Sequence, residues 1–236
     1  MTGGVFDAWS PVTHDFGLVR GTLAEVADVY QAMRAEAPLR REMLTGGLAD
    51  AFQALAPLTH AKSRRLFVPT RSDWVAFFQN GTQGSDPFPA MSGLARRNGV
   101  LAMRVCCTPE GATWPAVIWE VYAPPELGGN ALGYRRSVAV LNDGGRWDFS
   151  ESGERFGFER VDAYGLRRKR ERFTRAMLLD HLREFGIPGL NDALFQVTPE
   201  RPAILFHDPS REGRLPSYTL DEVKRGVPWQ RREAKA

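Results

Sequence analysis

Apolar positions recur along this chain with two different periods, and the switches between them outline its elements. Phe16–Arg20 (FGLVR) is a short apolar run that predicts a strand. Directly after it, Thr22-Leu-Ala-Glu25 is a capping box, in which the threonine hydroxyl takes an orphan amide while the glutamate reaches back. Leu23, Val26, Tyr30 and Met33 then recur at helical spacing, and Pro38 marks the stop. A second helix is predicted over Leu48–Ala56, with Phe52 and Leu55 inward and Pro57 ending it. Leu66–Val68 and Trp74–Phe78 are apolar runs of strand length flanked by Pro, Ser and Asp. The polar loop Asn80–Ser85 leads to Asp86-Pro87, which predicts an N-cap followed by proline at the first helical position. Phe88, Met91 and Leu94 give that helix an inner face, and Asn98-Gly99 ends it in a left-handed cap.

The densest strand signals follow. Val100–Cys106, Pro115–Tyr122 and Arg135–Leu141 are β-rich runs, and Asn142-Asp-Gly-Gly145 between the last of them and Arg146–Phe149 predicts a hairpin. The gaps are too short for helical crossovers, so the pairing is antiparallel, with Gly111–Pro115 and Pro124–Gly133 as hairpin connections. Thr174 caps a helix running to about Phe185, with Met177, Leu178, Leu182 and Phe185 inward and Gly186 closing it. Ala203–His207 reads as a final strand. Thr219-Leu-Asp-Glu222 is a second capping box, opening a short helix that Gly226 and Pro228 end, and the residues from Trp229 on read as a frayed basic tail. The class is α+β: a largely antiparallel sheet with helices packed against it, a single compact domain over 1–215, then a short C-terminal helix and basic tail over 216–236.

Composition narrows the class without changing it. The 236 residues are 43% hydrophobic and 25% charged, which excludes a disordered chain, a fibrous rod and a disulfide-stapled mini-protein. The N-terminal stretch MTGGVFDAWSPVTHDFG has neither the basic nor the apolar region of a signal peptide, and no run approaches 18 apolar residues. Cys106 and Cys107 are adjacent and on a strand would face opposite sides, so they read as two reduced structural thiols of a cytoplasmic protein. Only four of the 31 basic residues are lysine, which together with abundant Ala and Gly suggests a GC-rich bacterial genome.

The motifs that decide an enzyme class are absent: no phosphate-binding loop, no dinucleotide fingerprint, no nucleophile elbow and no zinc-protease helix. His14, His60, His181 and His207 share no ligand spacing, so neither a metal nor a cofactor is implied. His207-Asp208 reads as a strand-end turn, His181 as a half-buried packing residue, and Cys106 as a core thiol. Asp143, Asp148, Glu151 and Glu154 crowd the hairpin and the turn after it; they suit either a general acid/base pair or a solvated hairpin tip.

Charge is the least uniform property. Tyr164–Arg175 (YGLRRKRERFTR) holds six basic residues and one acid, and Lys224–Ala236 five basic residues and one acid. Those segments carry +5 and +4, so a chain of net +3 is a body of −6 bearing +9 in two clusters. Arg167, Arg168, Arg170 and Arg172 are the candidates for steering an acidic partner, and Trp74, Trp114 and Trp229 the candidate aromatic anchors. Few aromatics interleave with the cations, so nucleic acid is the weaker expectation.

The run N-D-G-G-R-W-D-F-S-E-S-G (Asn142–Gly153), the pair Phe158-Glu159 and R-E-R-F-T (Arg170–Thr174) ahead of a helix ending in F-G-I carry a resemblance. So does S-D-W-V-A-F-F-Q-N-G (Ser72–Gly81) ahead of D-P-F. Over Ser72–Ile187 the chain resembles a recurrent, largely uncharacterised family of small bacterial cytosolic proteins, similar in style to the immunity proteins of polymorphic toxin systems. The resemblance brings no catalytic residues. The leading expectation is a non-enzymatic protein that binds another protein, as an immunity- or antitoxin-type partner occludes its toxin. The alternatives are a small hydrolase using the Asp143–Glu154 carboxylates on a phosphorylated or nucleotide-like substrate, and a nucleic-acid-binding module.

Overall fold

Trp74–Phe78 is apolar at every position because its strand is covered on both faces. In the computed structural model, which describes residues 4–109, 111–211 and 213–228, the side chains of Trp74, Ala76 and Phe78 join one core cluster and those of Val75 and Phe77 the other. Leu66 and Val68 against Phe67 repeat the division on the neighbouring strand.

The strands are β1 (Asp15–Arg20), β2 (Arg40–Leu44), β3 (Leu58–Thr59), β4 (Arg64–Pro69), β5 (Trp74–Gln79), β6 (Ala102–Cys107), β7 (Ala116–Tyr122), β8 (Tyr134–Asn142), β9 (Trp147–Gly153), β10 (Ala203–His207) and β11 (Ser217–Tyr218). Nine of them form one sheet in the order β2-β10-β4-β5-β1-β6-β7-β8-β9, and every neighbouring pair in it is antiparallel. β3 and β11 form a separate two-stranded ribbon. The helices are α1 (Val5–Ala8), α2 (Leu23–Ala32), α3 (Leu48–Gln53), α4 (Phe88–Asn98), α5 (Arg175–Glu184) and α6 (Leu220–Lys224). One sheet face is covered by α2 and α4 through Val26, Tyr30, Met91 and Leu94. The other carries α1, α3 and α5 through Phe6, Phe52, Leu178 and Leu182, and Val223 of α6 belongs to the same cluster. The chain is thus an α+β protein with a largely antiparallel sheet in a single compact domain. No helix among the described residues is long and apolar enough to cross a membrane.

Local chemistry sets the ends of these elements. Thr22 and Thr219 both close full capping boxes, with Glu25 and Glu222, and Thr174 accepts from the Met177 amide to start α5. Gly144 and Gly145 turn the β8–β9 hairpin with φ of 120° and 141°, values closed to L side chains, while Asn142 Oδ1 accepts from both amides. Gly17 on β1 lets α4 approach: a Cβ there would lie 2.4 Å from the Met91 sulfur.

One strand lies where no element is predicted, and several expectations need correcting. β2 has no apolar period, since Arg40–Glu42 are exposed, and it is a strand because β10 pairs with it. It is a charged edge that discourages further pairing. α3 ends at Gln53, three residues early, although Leu55 still packs in the core. Asp86 does not cap α4: Pro87 holds the N-cap position, and Asp86 faces Lys62 at 3.5 Å. β9 runs on to Gly153, and His181 is fully rather than half buried, at 1% exposure. Trp229 and the basic tail fall outside the described residues.

Candidate functional site

Register brings three segments to one end of the sheet. Ala116 of β7 pairs with Leu141 of β8, and Leu141 with Asp148 of β9, so the loop before β7 and the β8–β9 turn share that end. Lys169 Nζ reaches Asp148 Oδ1 at 2.6 Å and pins the basic segment beside them. Arg175 at the start of α5 donates from Nη1 to Cys107 Sγ at 3.4 Å, where β6 ends.

At this end Trp114 is 48% exposed, a large aromatic surface for a loop residue. Trp74 is at the opposite extreme: it is 1% exposed in the core, its indole donating to the Phe185 carbonyl at 2.9 Å. The arginines divide. Arg167 and Arg170 are exposed, Arg168 is exposed and pairs with Glu171 at 3.2 Å, and Arg172 lies half-buried over the Phe149 ring while donating to the Leu166 carbonyl at 2.7 Å. Half of the basic segment therefore fastens itself to the sheet edge, and half faces water.

The hairpin carboxylates are engaged by cations. Asp148 holds Lys169, Glu151 bridges Arg136 and Arg155 at 2.5 Å each, and Glu154 takes Arg135 at 3.0 Å; Asp143 is exposed in the turn. The bond from Lys169 holds Asp148 below the ordinary carboxylate range, and the bond from Arg155 does the same for Glu151. A general acid needs its carboxyl pushed upward, so these two groups are anions with no proton to give at neutral pH.

Sequence reasoning missed a second set of polar residues. A cleft of about 820 Å³ at this end of the sheet is lined by the polar Asp15, Arg104 and Cys106 and by the apolar Trp114, Ile118 and Val223. A cavity of about 330 Å³ continues it, sharing Asp15 and Arg104. Arg104 donates to Asp15 through Nε at 3.0 Å and Nη2 at 2.6 Å and lies 3.5 Å from Glu120, which accepts from the Tyr122 hydroxyl at 2.5 Å. Burial pushes the Asp15 carboxyl upward while the guanidinium pulls it back, and Arg104 stays fully charged. Burial also pushes the Cys106 thiol far above the ordinary thiol range, so it remains protonated and is no nucleophile. Ser10 Oγ and His14 Nε2 stand 2.8 Å apart on the rim. Asp15 and Arg104 lie on strands 89 residues apart in sequence, and nothing local announces their pairing. Among the described residues no His, Cys, Asp and Glu group could hold a metal ion.

No family model, curated protein or solved structure matches the chain.

Proposed function

We propose that this protein acts by binding an acidic protein partner at the Trp114 end of its sheet, as an immunity- or antitoxin-type protein that occludes a bacterial toxin in the cytoplasm. The observation that carries this reading is the placement of a half-exposed tryptophan at the same sheet end as Arg167, Arg168 and Arg170. Residues 142–148 and 166–175 together bring seven basic side chains against three acidic ones. Long-range attraction from such a cluster accelerates encounter, and a tryptophan that becomes desolvated on docking supplies affinity. The free thiols of Cys106 and Cys107 suit a reducing compartment.

The test begins with affinity purification of the tagged protein from its native host and identification of what copurifies. An acidic protein whose association weakens with salt and with loss of Trp114 supports the reading. Retention of DNA or RNA on a filter, with a steep salt dependence, would replace it with the nucleic-acid reading.

A further inference from the structure

We infer that Ser10 is an activated nucleophile, with His14 as its base, in a site that accepts carboxylic esters with an apolar acyl group. The inference does not rest on the partner-binding reading, although Trp114 belongs to both, since it lines the cleft beside this pair.

A serine hydroxyl attacks carbonyl carbon only when a base lies within hydrogen-bond reach, and 2.8 Å from Oγ to Nε2 meets that condition. With the imidazole proton on Nδ1, Nε2 accepts from the hydroxyl. Both residues belong to one short, fixed turn: the Ser10 amide donates to the Asp7 carbonyl, the His14 amide to the Pro11 carbonyl, and Thr13 Oγ1 to the Phe6 carbonyl. Val12 between them is fully buried, so the turn is anchored in the core.

The pair stands where two cavities meet. On one side is the 820 Å³ cleft, whose wall of Trp114, Ala116, Ile118 and Val223 suits an apolar acyl chain. On the other is a cavity of about 250 Å³ lined by Asp7, Cys107 and Arg175 as well as Ser10 and His14. The Arg175 guanidinium gives that smaller cavity a positive wall, which favours an oxyanion forming on the attacked carbonyl. Burial, and then the charge of Arg175, holds the His14 imidazole below its ordinary value, so it is neutral and able to accept a proton at pH 7. The charged and titratable groups lining the two cavities about it are Asp7 from α1, Asp15 from β1, Arg104, Cys106 and Cys107 from β6, Arg175 from α5 and Lys224 from α6.

In the step itself Oγ bonds to the ester carbon while His14 Nε2 takes the hydroxyl proton. The tetrahedral species then expels the alkoxide, which receives that proton from His14 and leaves as an alcohol. Water, deprotonated by His14 in turn, attacks the acyl-serine carbon; the bond to Oγ breaks, Oγ takes the proton back from His14, and the acid leaves.

A fluorophosphonate probe, followed by peptide mass spectrometry, tests the assignment on the full chain. The expected result is a label on Ser10 that is absent from heat-denatured protein and from Ser10→Ala, with a labelling rate about 100-fold lower or more in His14→Gln. The wild-type rate should also rise with pH and then level off, with its midpoint below the ordinary imidazole value of 6.5, a readout that does not depend on the variant folding. No label on Ser10, an equal rate in His14→Gln, or a rate that climbs with hydroxide and never levels would overturn the inference.

Discussion

Arg136 and Glu159 meet through three hydrogen bonds, at 2.6, 2.9 and 3.2 Å, where their side chains are 1% and 0% exposed. The same carboxylate accepts from the Tyr164 hydroxyl at 2.8 Å and the Phe156 amide at 2.7 Å, while Arg136 also donates to the Ser152 and Gly153 carbonyls. A buried pair is stable only when its remaining valences are filled, and here the strand β9 and the segment after it fill them. That network fixes the chain between β9 and the basic segment, and so the placement of Lys169 and its neighbours.

Removing Arg136 strands the Glu159 charge in the core, and removing Glu159 leaves the buried Arg136 with Glu151 as its remaining carboxylate. Arg136→Met and Glu159→Gln should each destabilise the fold by about 3–5 kcal/mol in urea denaturation. The pair Arg136→Met/Glu159→Leu should lose clearly less than the sum of Arg136→Met and Glu159→Leu alone, since no lone charge remains. Additive losses would show that the two side chains act independently.

His181 predicts a pH dependence. Its ring packs on Trp119, Phe158 and Phe173, and neither nitrogen meets a hydrogen-bond partner among the described residues. Burial lowers its pKa from 6.5 to about 4. The unfolded chain therefore takes up a proton that the folded one refuses, and stability falls as pH drops from 6.5 toward 4 before this contribution levels off. The loss over that window is roughly 3 kcal/mol. In His181→Phe the same titration should be flatter across the window, with the difference from wild type isolating this residue from the carboxylates.

The two described tryptophan candidates should separate in a stability assay. Trp74→Ala empties a core position and loses the bond to Phe185, and should destabilise the fold by about 3–5 kcal/mol. Trp114→Ala touches an exposed loop and should shift stability by no more than about 0.5 kcal/mol. Equal effects would mean that Trp114 is packed in solution.

The capping boxes, the β8–β9 hairpin and the doubly buried strands were legible because each rests on residues within one turn or one strand. β2 was not, since an exposed charged edge has no apolar period and takes its shape from β10. Asp86-Pro87 reads as a cap by local habit, yet Asp86 faces Lys62, across a loop that sequence spacing cannot place. Arg136–Glu159 and Asp15–Arg104 were hidden for the same reason: ion pairs across a sheet depend on topology. Ser10 and His14 are only four residues apart, but a serine and a histidine at that spacing are unremarkable until a cavity is seen beside them. The Arg167–Arg172 cluster was visible as charge, while its division into fastened and solvent-facing halves required Asp148, Glu171 and Phe149 to be placed.

The partner-binding account is tested most directly by association kinetics with the protein that copurifies from the native host, measured at low and at physiological salt. The account predicts that Arg167→Glu/Arg170→Glu slows association about tenfold or more at low salt with little change in dissociation, while Trp114→Ala chiefly speeds dissociation. Association and dissociation rates unchanged in both variants would contradict it.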